Sequence, residues 1–351
     1  MFWPGKISEK LNIQYPVIQA PMFGVSTPEM AAAANRASCL GSLAIADLSG
    51  DSSVQFIRET KTLTDQPFAV NIFVHKIPEI TDALKDQYGK TKKFLEDFAG
   101  KNEIEVHLPD LSEIKINTYH EQIDAAIEEQ CKIVSFTFGN IDEKSIQKLK
   151  ENGVVLIGTC TSVEEAVELE KSGIDLICVQ GIEAGGHRGS FEVENIPQIG
   201  GFSLLSQVYD SVSVPLIYAG GIYNARTIMA AENLGAEGFQ VGSILLASQE
   251  SALLDFEKER LEKVREEDVV LTKSFSGRFA RGIKNTFIET LEDSDYILPY
   301  PYQNKLTGVL RKAARNKKNT DFVNLWLGQS IHQYSKSSTE EILKNLILSC
   351  E

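Results

Sequence analysis

One alternation limits what this chain can fold into. Short apolar runs, each followed by an amphipathic stretch, recur eight times within the first 250 residues. The strand-type runs are 15–22 (YPVIQAPM), 39–46 (CLGSLAIA), 68–74 (FAVNIFV), 132–139 (KIVSFTFG), 154–160 (VVLIGTC), 175–181 (DLICVQG), 214–221 (VPLIYAGG) and 238–243 (GFQVGS). They are too short for buried helices and read as buried strands. Helix signals fall between them. Thr27-Pro28-Glu29 supplies an N-cap, a proline at the first helical position and an acid in the first turn. Ser162 with Glu165 three residues on has the spacing of a capping box. Eight such units predict an α/β fold, a parallel (β/α)8 TIM barrel. A doubly wound sheet would place G-x-G-x-x-G after its first strand, and that pattern is missing there.

Two segments fall outside the alternation. Residues 75–117, after the third strand, are polar and read as a surface insertion with one helix over about 79–98. After residue 250 the pattern changes. Residues 257–267 are charged and helical, 272–285 are basic and glycine-punctuated, 295–306 are rich in aromatics and proline, and 331–348 are amphipathic. The expected organisation is a barrel over 1–250 and a helical appendage over 251–351, packed on the barrel mouth.

The net charge of −14 argues against a nucleic-acid partner, whose phosphates need a basic face. No apolar run approaches a membrane span, and the first ten residues lack an apolar signal core. Cys39, Cys131, Cys160, Cys178 and Cys350 lack metal-type pairing, and an odd, scattered set fits a reducing cytoplasm. His75, His107, His120 and His332 are too dispersed for a metal site, so none is expected.

The chemistry is expected at the C-terminal ends of the strands. The most informative stretch is 179–189 (VQGIEAGGHRG), a strand running into a glycine-rich loop that carries His187. Such a loop lets backbone N–H groups approach a ligand, and a histidine on it can act as acid, base or donor near neutral pH. The bland alternative is a long turn with a surface histidine. Gly220-Gly221 and Gln240-Val241-Gly242-Ser243 close strands seven and eight, where barrels of this kind hold phosphate on backbone N–H groups. Tight barrel turns alone also demand glycines. A phosphate there, with polar groups round the mouth, fits FMN. Asn71 and Gln180 are candidates for its ring or ribityl chain, and Met22, after Pro21, for an apolar ring face. Asn71 also reads as a satisfied structural amide, and Ser243 as a helix cap.

Taken together, Ile18-Gln19-Ala20-Pro21-Met22, Ser135 to Gly139, the Gly181 to Gly189 loop, Ala219 to Ile222, Gln240 to Ser243, Gly277 to Gly282 and Pro301 to Asn304 resemble the nitronate monooxygenase family. The resemblance implies a barrel with non-covalent FMN that oxidises alkyl nitronates of the propionate 3-nitronate type, with O2, to a carbonyl compound and nitrite. By motif, Asn71, Gln180, Gly185, Gly221 and Gln240 to Ser243 would hold FMN, with Pro21, Met22, Gly186 and Gly220 beside them. His187 would face the substrate. Apart from the resemblance, Tyr300, Tyr302 and Lys305 of the appendage are candidates to close the mouth or, equally, to form an aromatic packing seam. Ser243 departs from the threonine frequent in the family, but keeps the hydroxyl. The partners expected are a small-molecule nitronate and O2, with the chain a monomer or homodimer. Two rivals share the barrel: an FMN-dependent NAD(P)H reductase acting on enoyl-carrier proteins or quinones, and a flavin-binding module without turnover. A phosphosugar isomerase-type barrel would lack flavin.

Overall fold

Eight parallel strands form one ring in a computed structural model that describes Trp3 and residues 5–350. In chain order the first half comprises α1 (Lys6–Leu11), β1 (Val17–Gln19), α2 (Pro28–Arg36), β2 (Gly41–Ala44), α3 (Gly50–Leu63), β3 (Phe68–Phe73), α4 (Asp82–Lys101), α5 (Tyr119–Glu128), β4 (Ile133–Thr137), α6 (Glu143–Glu151), β5 (Val155–Cys160), α7 (Val163–Lys171) and β6 (Leu176–Gln180). A two-residue strand follows, β7 (Gly186–His187), then α8 (Gly201–Tyr209), β8 (Leu216–Ala219), α9 (Ala225–Asn233) and β9 (Gly238–Val241). Beyond the ring lie α10 (Asp255–Leu261), β10 (Val269–Thr272), β11 (Ala280–Ile283), α11 (Thr286–Leu291), α12 (Tyr302–Asn316) and α13 (Thr339–Leu348). The ring order is β1-β9-β8-β6-β5-β4-β3-β2, and a parallel bridge from Ile18 to Leu40 closes it. This is the (β/α)8 barrel the alternation predicts.

The strands are apolar on both faces because both are covered. Ile18, Ala69, Ile133, Ile157, Leu176, Cys178 and Ile217 form one inner cluster with Ile7 and Leu11 of α1, a helix outside the expected elements. The Thr27 cap holds as expected, with its hydroxyl accepting the Met30 N–H at 3.1 Å. The Ser162 cap forms at 3.2 Å, but the Glu165 carboxylate leaves the capping box. It accepts from the Thr161 hydroxyl and the Phe191 N–H, each at 2.8 Å, tying α7 to the loop after β7.

The polar insertion is not merely a surface excursion. Leu84, Tyr88, Thr91, Leu95 and Ala99 of α4 repeat at helical spacing and are buried. Phe94 stacks on Tyr296 at 4.1 Å and Phe98 meets Phe322 at 5.0 Å, so this face is covered by the chain beyond residue 250. That later stretch is not purely helical. β10 and β11 form an antiparallel pair, and β7 joins them as a third strand. Nor is residues 331–348 one helix, since only 339–348 are helical. α13 packs against α2, where Arg36 pairs with Glu340 at 2.9 Å, and so takes a place in the outer helical layer. No helix among the described residues is long and apolar enough to cross a membrane.

Candidate active site

The loop that carries His187 is held as a strand. Its Gly186 and His187 pair with Arg281 and Ala280 of β11, and the Arg188 N–H reaches the Phe279 carbonyl at 2.8 Å. Gln180, at the end of β6, bridges the loop. Its amide donates to the His187 carbonyl at 3.0 Å and accepts the Gly189 N–H at 2.8 Å. The buried Arg188 guanidinium donates to the carbonyls of Gln180 and Pro197, the latter at 3.1 Å. The strand end and the loop therefore move as one unit.

The His187 ring sits among Phe73, Phe138 and Trp326, with centroids 6.0, 5.5 and 5.7 Å away. Its Nε2 lies 2.8 Å from the Ser276 hydroxyl, which also lies 3.0 Å from the Arg278 carbonyl. That hydroxyl has one proton and two acceptors. Given to Arg278, it leaves Nε2–H as the donor and Nδ1 as a free base. Given to Nε2, it makes Nδ1–H a donor into the site. Burial, then the cations Arg278 and Arg311, push the His187 pKa down to about 3, so the ring is neutral near pH 7. Phe138 holds φ at 81°, a conformation rare for a bulky residue and frequent at functional sites.

Positive charge gathers beside this cage. The Arg278 guanidinium lies 4.2 Å from the Phe138 centroid. Arg311 donates to Asn324 and to the Asn304 side chain at 2.9 and 2.8 Å, leaving its buried Nε without a partner. Burial lowers the pKa of each guanidinium to about 10, which keeps both charged. Lys305 pairs with Asp47 at 2.8 Å. Tyr300 is buried edge-on to His75, centroids 4.6 Å apart, and both ring nitrogens of His75 lack partners. Burial, then Arg278, lowers the His75 pKa to about 4.

A second feature lies at the ends of β8 and β9. Gly220 and Gly221 take φ of 130° and 68°, which L side chains rarely adopt. Among the described residues, no protein acceptor faces the N–H groups of Gly220, Gly221, Gly242 or Ser243. A side chain on Gly242 would begin 3.3 Å from the Ala20 Cβ and 3.4 Å from the Met22 sulfur. Residues 325–330 form a strap beside these turns. It joins β11 through the Ile283 N–H to Leu325 carbonyl bond at 2.9 Å, then gives the Gly328 N–H to the Ser243 hydroxyl at 3.0 Å. Gly185 is a glycine because a Cβ would sit 2.5 Å from the Gly328 nitrogen.

The expected residues thus fall into two groups and a remainder. Asn71, Gln180, Gly185, Gly186, His187 and Tyr300 lie on segments that meet at the cage, and Pro21, Met22, Gly220, Gly221 and Gln240 to Ser243 surround the glycine turns. The Asn71 amide donates to Ser135 at 3.0 Å, and the Gln180 amide is spent on its loop. Tyr302 is turned away from the mouth. It is buried, with its hydroxyl on the Pro78 carbonyl at 2.8 Å, in the seam between appendage and insertion. Glu183 does not partner His187 but accepts from the Tyr218 hydroxyl and the Gly201 N–H. Ser276, Arg278, Arg311 and the strap were not expected. The basic run 272–285 in an acidic chain is the signal that points to the first two. All five cysteines are free and buried, and no group of three or more potential ligands surrounds a metal position among the described residues.

A closed parallel barrel whose strand ends carry two glycine turns and a neutral imidazole is the frame of a (β/α)8 enzyme. The family model for nitronate monooxygenase matches residues 5–349. A probable nitronate monooxygenase of Staphylococcus saprophyticus is 38% identical over 97% of this chain and 96% of its own. One from Staphylococcus aureus is 37% identical over 99% and 97%. Among solved structures, a nitroalkane oxidase from Streptomyces ansochromogenes superposes with a TM-score of 0.88 at 32% identity, covering 98% of this chain and 97% of its own. FabK from Thermotoga maritima gives 0.75 at 25% identity, covering 99% and 96%. The chain belongs to the nitronate monooxygenase family and is an oxidoreductase of that flavoprotein family.

Proposed function

We propose that this chain binds FMN and uses it to oxidise alkyl nitronates, of the propionate 3-nitronate type, with O2 to a carbonyl compound and nitrite. The observation that carries the reading is the neutral His187, held by Ser276 and flanked by the cations Arg278 and Arg311. A nitronate is an anion, and two guanidinium groups beside an imidazole that can donate suit it. The family and the relatives' names support the same reaction.

The residues present fit FMN. The free N–H groups of Gly220, Gly221, Gly242 and Ser243 would receive its phosphate, with Gln240 and Val241 behind them. Asn71, Gln180, Gly185, Gly186, Pro21 and Met22 would line the ribityl chain and ring. When bound, FMN supplies the electron acceptor that nitronate oxidation needs and returns the electrons to O2. His187 does the polar work. With the Ser276 proton turned to Nε2, Nδ1–H donates to a nitronate oxygen. With that proton turned to the Arg278 carbonyl, Nε2–H is the donor and Nδ1 an acceptor whose depressed pKa makes it a weak base, which suits a substrate that arrives as the nitronate. Tyr300 and Lys305 would close the mouth against water.

A second reading, an NAD(P)H-dependent reductase, is favoured by the FabK likeness. An absorbance spectrum of the purified protein, followed by anaerobic addition of propionate 3-nitronate and separately of NADH, decides between them. Bleaching by nitronate and not by NADH supports the monooxygenase. Rapid bleaching by NADH replaces it with the reductase, and no bleaching by either leaves a binding module. No flavin spectrum, even after adding FMN, removes the cofactor argument.

A further inference from the structure

We infer that the strap Trp326–Ser330 is the outer wall of the phosphate cradle, and that Ser330 is a direct ligand of the phosphate monoester. This rests on the placement of the FMN phosphate at Gly220–Gly221 and Gly242–Ser243. The strap is anchored on both sides of that position. Toward β11, the Leu327 N–H meets the Arg281 carbonyl at 3.2 Å and Gly282 bridges to Trp326. Toward the cradle, the Gly328 N–H meets the Ser243 hydroxyl, and the Gln329 N–H meets the Glu183 carbonyl, both at 3.0 Å.

The Ser330 hydroxyl donates to the Gly221 carbonyl at 3.2 Å, a bond it would exchange for one to the phosphate, and lies 3.5 Å from where a Gly221 Cβ would begin. Its own N–H has no protein acceptor among the described residues, like those of the two glycine turns. Because Ser243 accepts from Gly328, its hydroxyl proton is free to turn into the cradle. Donors from three separate segments therefore converge there.

The charge around the cradle makes these neutral donors matter. The nearby carboxylate is Glu183, whose Cγ lies 3.4 Å from the Cβ positions of Gly220 and Gly221. It is engaged by the Tyr218 hydroxyl and by the Gly201 N–H at 3.0 Å. Among the described residues no lysine or arginine side chain donates a hydrogen bond to Gly220, Gly221, Gly242 or Ser243, and the Arg281 guanidinium is spent on the Ile182 carbonyl at 2.9 Å. The groups these turns present to a dianion are convergent N–H and O–H donors, as in backbone anion nests.

The test compares FMN with riboflavin, which lacks only the phosphate, on the full chain stripped of flavin, by quenching of flavin fluorescence. Wild type is expected to prefer FMN. Ser330→Ala should lower FMN affinity roughly 10-fold, as loss of a hydrogen bond to a charged group does, and leave riboflavin binding unchanged. Ser330→Thr should restore the preference. If Ser330→Ala keeps the full wild-type ratio, or loses both ligands equally, the Ser330 assignment is overturned while the cradle stands. If wild type itself shows no preference for FMN, the phosphate placement fails and this inference with it.

Discussion

Replacing His187 by asparagine should change how stability responds to acid. The unfolded imidazole titrates near its ordinary 6.5, whereas in the fold burial and the Arg278 and Arg311 charges lower it to about 3. The folded state therefore binds fewer protons than the unfolded chain between those values. Stability contributed by the neutral ring is full above pH 6.5 and is lost as pH falls, down to pH 3. From pH 7 to pH 5 the unfolded ring takes up most of a proton and the folded ring almost none. That difference is worth about 2 kcal/mol, trimmed toward ~1 by solvent at the ring's exposed edge. Urea denaturation of flavin-free protein at pH 7 and pH 5 measures it. Wild type should lose that much more than His187→Asn across the interval. His75 is lowered in the same direction but is present in both proteins, so its contribution cancels. Parallel losses in the two proteins would show that the fold does not hold His187 neutral.

Three further outcomes follow from named contacts. Gly242→Glu should purify without flavin, because its carboxylate would enter the cradle beside Met22, and flavin absorbance per protein reads this directly. Arg278→Met should raise KM for an anionic nitronate about 10-fold while changing kcat/KM for a neutral nitroalkane much less, since it removes charge beside His187 and leaves apolar bulk against Phe138. Leu95→Ala, at a fully buried position of α4, should cost about 3 kcal/mol in urea denaturation. A surface helix would lose almost nothing.

The barrel was legible because its signal is local. Each apolar run is short, and α2, α3, α6, α7 and α9 each carry a side-chain cap, as Thr27 does for α2. His187 and the glycine turns were legible for the same reason, since type and strand position sit together in a few residues. What stayed hidden depends on partners distant along the chain. Ser276 reaches His187 across 89 residues, and Gly328 reaches Ser243 across 85. No local pattern announces either contact. The α4 face was hidden by composition, because its buried residues are interleaved with lysines and acids that solvate the other side. For Tyr302 the sequence leaves mouth and seam open, because the two look alike until the hydroxyl's acceptor, the Pro78 carbonyl, is known.

The position of α13 bears on how this protein comes to be folded. Helix α2 presents Ala31, Ala32, Ala33 and Ala34, small side chains that admit close packing, and α13 lies against that helix. The two are neighbours in space but about 300 residues apart in sequence. During synthesis the early barrel units would emerge with one flank bare while the mouth segments were still being made. Contacts of that separation are slow to form, and exposed apolar surface in the meantime invites association with other chains. The last helix thus acts as a lock turned late. A shortened chain ending before Thr339 should be made at the normal rate yet accumulate in aggregates, even though His187, the glycine turns and the strap lie upstream of the cut.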